Sequence, residues 1–141
     1  MTMETQQLDG IIVNSILANV SSAIAIFDSL DQKMIWNNAF FKRLTWFGNA
    51  PGGKSATDVS LWDFFDDRDF DVVKDLLAIG IEYGRSYDFM RRVRRGTNGF
   101  FPAELYFYTV GTSASGAPLV CLEVVDISLY KSYDEVEGAR V

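Results

Sequence analysis

Three strand-like stretches, at about 86–94, 100–110 and 118–126, follow one another near the carboxyl end, joined only by "RGTNG" and "GTSASG". Turns this short leave no room for the crossover that a parallel pair requires, so the three must run antiparallel as a meander. That constraint governs the rest of the chain. "AIAIFD" (23–28) and "KMIWN" (33–37) form a hairpin across the polar "SLDQ". Residues 8–20 place Leu8, Ile11, Ile12, Ile16 and Val20 at mostly helical spacing. Between hairpin and meander, "NAFFKRLTWF" puts Phe41 and Leu44 on one side of a short helix and Lys42 and Arg43 on the other. "DVSLWDFF" reads as a helical turn. Asp69 is placed to cap a helix over 70–83, with Val72, Val73, Leu76, Leu77 and Ile79 as its apolar stripe and Gly84 as its stop. The class is α+β with an antiparallel sheet.

At 141 residues the chain makes one domain with a substantial core, and its 11 Phe, 6 Tyr and 3 Trp argue against disorder. A net charge of −6 disfavours non-specific binding to nucleic acid or anionic membrane. No apolar run has the length of a membrane span, and the amino end lacks the layout of a signal peptide. The absence of histidine excludes His-based triads, His-rich zinc sites and His-ligated haem. A single cysteine, Cys121, excludes an internal disulfide and multi-cysteine metal sites, and fits a reducing cytoplasmic setting. No carboxylate pair is forced together for acid–base chemistry, so the chain reads as non-enzymatic.

Three motifs compete for a function. "GNAPGGKS" (48–55) fits the phosphate-cradling G-x-x-x-x-G-K-S/T pattern. That loop needs a buried strand before it and a parallel sheet around it; here the lead-in "FFKRLTWF" is charged and helical, so the stretch reads as a loop. Asp67, Asp69 and Asp71 alternate as at the start of an EF-hand. Val72 replaces its turning glycine and Ala78 its closing glutamate, which removes calcium. "RRVRR" (91–95) in so acidic a chain reads as a solvated edge or as ion-pair partners of the Asp-rich segment rather than a nucleic-acid patch.

Four stretches in order resemble the PAS domain family, over nearly all of 8–131. "ILANVSSAIAIFDSLDQKMIWNNAFFKRLTW" is similar to its first helix, hairpin and N-x-x-F helix, with Asn38 and Phe41 at the matching positions. "LWDFFDDRDFDVV" resembles the segment where an Asp, here Asp69, opens the long helix. "RRVRRGTNGFFPAELYF" resembles the basic strand, its turn and the F-P-x-E-L strand. "GAPLVCLEVVDIS" resembles the last strand ending in D-I-T, with Ser128 for Thr. The Gly-rich insert at 48–56 departs from the commoner pattern.

The resemblance implies a five-stranded antiparallel sheet with short helices over one face and an amphipathic N-terminal helix. It divides the chain into a tail (1–7), a domain over 8–126 with its helix at 8–20 and core at 23–126, and an exit helix starting in 127–141. It implies a cytoplasmic sensory or interaction module of a bacterial signal-transduction protein such as a two-component system, whose output domain lies in the same polypeptide. A ligand-free dimerisation scaffold and a small α+β-cone enzyme remain as alternatives. The pocket has no Cys before the long helix for photoreactive flavin chemistry, and Cys121 alternates onto the outer face. Inward candidates are Ala25, Phe27, Phe41, Leu44, Trp62 and Phe65, then Leu77, Phe89, Leu105, Phe107 and Leu122. Whether they fill the space themselves or leave room for a small apolar metabolite or a non-covalent flavin stays open; Trp62 keeps flavin in view, because an indole stacks on such a ring. On the opposite face Tyr106, Tyr108 and Leu119 make an apolar surface too large for a monomer, and Ile11, Ile12 and Ile16 offer a cover for it. A homodimer through these residues is the expected assembly.

Overall fold

A computed structural model describes residues 22–45, 58–97 and 99–128. Five strands form one sheet: β1 (Ala23–Asp28), β2 (Met34–Asn37), β3 (Arg85–Arg95), β4 (Gly99–Thr112) and β5 (Pro118–Asp126), in the order β2-β1-β5-β4-β3. Every neighbouring pair is antiparallel. Helices α1 (Ala39–Thr45) and α2 (Phe70–Tyr83) and two 3-10 turns, Leu61–Phe64 and Asp67–Asp69, lie between the hairpin and the meander. This is the α+β antiparallel class expected from the two short turns.

Side-chain alternation builds the core. Ala23, Ala25 and Phe27 of β1, Ala103, Leu105 and Phe107 of β4, and Val120, Leu122 and Val124 of β5 all point to the helix side and are buried. From α2, Val73, Leu76 and Leu77 close over them, and Gly80 brings the helix nearer still. A Cβ at Gly80 would stand 3.1 Å from Phe107 Cβ, so glycine permits this approach. Gly84 ends α2 in the left-handed region, with φ at 92°.

Three expectations need correction. Ile79 is 44% exposed, because the buried stripe of α2 turns through Val73, Leu76, Leu77 and Gly80 instead. Asp69 stands at the cap position of α2 but makes no side-chain cap bond, because its carboxylate is engaged with β3. Phe89 is 64% exposed. Between Asp88 and Arg91 the register with β4 slips by one residue, and such a bulge reverses the parity on which the inward reading of Phe89 rests. The "GNAPGGKS" loop and the helix expected over 8–20, with Ile11, Ile12 and Ile16, lie outside the described residues. The element leading toward that loop is the helix α1, within a sheet that has no parallel pair among the described strands.

Candidate functional site

The inner face of the sheet and the helices over it gather eight of the predicted inward residues into one apolar cluster: Ala25, Phe27, Phe41, Phe65, Leu77, Leu105, Phe107 and Leu122. Trp62 and Leu44 pack against it from the side, half-buried. Phe64, absent from the predicted lining set, sits nearer the middle. Its ring meets Phe41 at 5.0 Å and Phe27 at 6.2 Å, both edge-on. The reason is local geometry. In a 3-10 turn the residues three apart share a face, so Leu61 and Phe64 turn inward, while Trp62 is rotated away onto Phe70.

Asn38 fixes α1 to the sheet. Its Oδ1 accepts from the N–H of Phe41, capping the helix, and from the N–H of Ile24 on β1, while Nδ2 donates to the Ser22 carbonyl. Burial of the residue makes each of these bonds costly to lose. The N-x-x-F spacing is the visible signal for this cap; the bonds to residues 22 and 24 have no such signal.

The acidic and basic segments meet as ion pairs. Asp69, 3% exposed, accepts from the Arg92 N–H and from Arg92 Nη2 at 3.0 Å, with Arg91 Nη1 at 3.8 Å. Its carboxylate is thereby committed to β3 and unavailable to the first turn of α2. Arg94 donates to the Asp63 carbonyl and lies over Phe100. Arg95 joins three elements: Nε donates to the Leu44 carbonyl of α1, Nη2 to Asp126 Oδ2 at 2.7 Å, and the guanidinium covers Phe101 at 4.3 Å. Asp126 Oδ1 in turn accepts from the Ser128 N–H, where the chain leaves β5. Burial works to raise the Asp126 carboxyl, but the bonds from Ser128 and Arg95 outweigh it and hold the group below its ordinary range.

The outer face has a different chemistry. Tyr106 and Tyr108 stand there as expected, their rings parallel at 6.3 Å, and Tyr87 of β3 packs on Tyr106 at 4.8 Å. Tyr87 and Tyr106 donate to Glu104, and Tyr108 to Glu123. Burial, followed by these carboxylates, pushes the phenol groups of Tyr106 and Tyr108 up, so they remain donors. Leu119 is on this face and is itself buried, as are Ile24 and Cys121. Burial above all pushes the Cys121 thiol up to about 12, which keeps it protonated and unreactive.

A separate open groove of about 410 Å³ runs along the opposite edge, between Asp28, Asp31 and Lys33 and the strand β2 with Ile35 and Trp36. It shares only Met34 with the apolar cluster. Among the described residues no group of His, Cys, Asp and Glu side chains could hold a metal ion, and no helix is long and apolar enough to cross a membrane.

No family model and no curated protein matches the sequence. Solved structures do. A PAS domain from a two-component sensor histidine kinase superposes with a TM-score of 0.61 at 14% identity, covering 86% of this chain and 98% of its own. The PAS domain of a protein from Colwellia psychrerythraea gives 0.67 at 14% identity, over 85% of this chain and 98% of that one. An RNA-binding light-oxygen-voltage receptor gives 0.65 at 18% identity, over 99% of this chain but only 39% of the receptor. Strand order, the helical layer on one face and these superpositions agree: the chain has the PAS fold.

Proposed function

We propose that the chain is a non-enzymatic, cytoplasmic sensory or interaction module of a bacterial signal-transduction protein. Its stimulus is a small apolar or aromatic molecule held between the inner sheet face and the helices, and its signal leaves through the segment after β5. The observation that carries this reading is the Arg95–Asp126 tie. It couples the end of α1, which covers the apolar cluster, to the residue that anchors the chain's departure from the sheet. A ligand that displaced α1 would act on that departure directly. The two-component kinase whose PAS domain shares the fold supports the same class of role. Arg91, Arg92, Arg94 and Arg95 are engaged within the chain, which supports a function other than nucleic-acid binding.

A second reading has its own support. The edge-on packing of Phe27, Phe41 and Phe64 fills interior volume, as a ligand-free scaffold requires. Absorbance spectra of the purified chain and a thermal-shift screen with small apolar compounds and flavins separate the two. A bound chromophore or a reproducible stabilisation supports sensing; a flat screen and a bare spectrum support the scaffold.

The assembly that fits either reading is a homodimer, with Ile11, Ile12 and Ile16 meeting the outer face at Tyr106, Tyr108 and Leu119. Since Leu119 is already buried within the chain, the two tyrosines would carry the contact. Ile12→Asp should shift the protein to monomer or aggregate in light scattering. A wild-type protein that stays monomeric at high concentration would contradict it.

A further inference from the structure

The free edge of β3 is divided into a closed half and an open half. From Arg91 onward the chain covers the edge itself: Phe65 bridges to Val93, Asp69 takes the Arg92 N–H, and Arg94 reaches the Asp63 carbonyl. Among the described residues nothing comparable lies along 85–87. The Thr109 N–H donates to the Gly84 carbonyl, and the register runs Arg85↔Tyr108, Ser86↔Phe107, Tyr87↔Tyr106. In an antiparallel pair, hydrogen-bonded and non-hydrogen-bonded positions alternate, so Ser86 bonds to β4 while Arg85 and Tyr87 turn their N–H and C=O groups outward. Those groups have no partner among the described residues. Around them are exposed apolar side chains: Tyr87 at 49%, Phe89 beside it, and Ile79 and Tyr83 one turn apart on α2. Edges of this kind are templates for another strand.

We propose that this half-edge pairs with the same half-edge of a second copy, antiparallel about a two-fold axis at Ser86, joining two sheets into one. The register follows from the backbone. Within 85–88 it is residues 85 and 87 that turn such groups outward, and the register that engages both of them at each end sets Arg85 against the partner's Tyr87 and Tyr87 against the partner's Arg85. The guanidinium then lies over the phenol ring at both ends. Ser86 faces itself, Asp88 faces the partner's Gly84, and Phe89 faces the partner's Tyr83, so no like charges stand opposite one another. A foreign strand would gain only two residues' worth of backbone bonds here. Symmetric pairing doubles each contact and brings the Ile79 and Tyr83 side of α2 to its own copy as well. The contact depends on neither the inner pocket nor the outer-face dimer.

Amide hydrogen exchange by NMR on the full chain, dilute and concentrated, tests it. The Ser86 amide should be protected throughout. The Arg85 and Tyr87 amides should exchange fast when dilute and become protected on concentration, a change that a dimer through the outer face would not produce. Tyr87→Lys sets an ammonium against the partner's Arg85 while leaving the lysine beside its own Glu104; protection and the heavier species in sedimentation should both be lost. Adding Arg85→Glu should restore them. Arg85 and Tyr87 amides that stay fast in the concentrated sample, whether it is monomeric or associated, overturn the proposal, as does a charge swap that restores nothing.

Discussion

The two faces of the sheet come from the same strands, residue by alternate residue, yet they differ in kind. On β4, Ala103, Leu105 and Phe107 are buried among aliphatic and aromatic neighbours, while Glu104, Tyr106 and Tyr108 between them carry hydroxyl-to-carboxylate bonds. The inner face is dry and held by packing, so its energy lies in excluded volume and apolar area. The outer face is amphipathic, and its tyrosines combine area with a polar tip, the composition that suits contact with another protein surface. One strand thus separates a dry apolar layer from an amphipathic one by a single residue's offset.

The largest test of that contrast is a neighbouring pair of substitutions. Phe107→Ala should cost about 3–5 kcal/mol in urea denaturation, since the surrounding core cannot fully collapse into the space. Tyr106→Ala, one position away, should cost about 1 kcal/mol, the scale of a single long hydroxyl bond and partial burial. Equal costs would mean that the outer face is as tightly packed as the inner one. Next in size is Asn38→Ala, which removes the cap of α1 and leaves the Ile24 N–H without its acceptor, for about 1–3 kcal/mol. Asn38→Asp keeps Oδ1 but sets a second carboxylate oxygen against the Ser22 carbonyl where Nδ2 donates, so it should recover little of this loss. The smallest effect is electrostatic. The Asp126 carboxyl is depressed in the folded state, so its stabilisation is complete above the ordinary value of 3.8 and is lost as pH falls below that value toward the depressed one. Wild type should therefore lose stability more steeply than Asp126→Asn over that acid window, and the two should run parallel at neutral pH. Parallel curves throughout would remove the Arg95–Asp126 tie as a contributor.

Much of this is legible in the residues. Alternation in "ELYFYT" and "LVCLEVV" assigns the faces of β4 and β5, because a period of two admits only one choice once the apolar set is known. Short turns between the last three strands dictate their antiparallel order. The misplacements have definite causes. A bulge after Asp88 leaves no mark in composition, so alternation alone puts Phe89 on the wrong face. "LWDFF" spaces its residues for a helical turn of either kind, and only the tighter 3-10 form selects Phe64 over Trp62. Asp69 resembles a cap because the helix-forming run "FDVVKDLLAI" comes directly after it. Its partner Arg92 lies 23 residues away, and only folding brings the two together.

The division between faces is tested most directly by native mass spectrometry of the full chain beside Leu105→Trp and Tyr106→Ala. If the inner layer holds the ligand, a small-molecule adduct on the wild type is displaced when an indole fills the inner space at residue 105 and is kept when the outer tyrosine is removed. An adduct that survives Leu105→Trp but disappears with Tyr106→Ala, or a wild type that carries none under any condition, would contradict it.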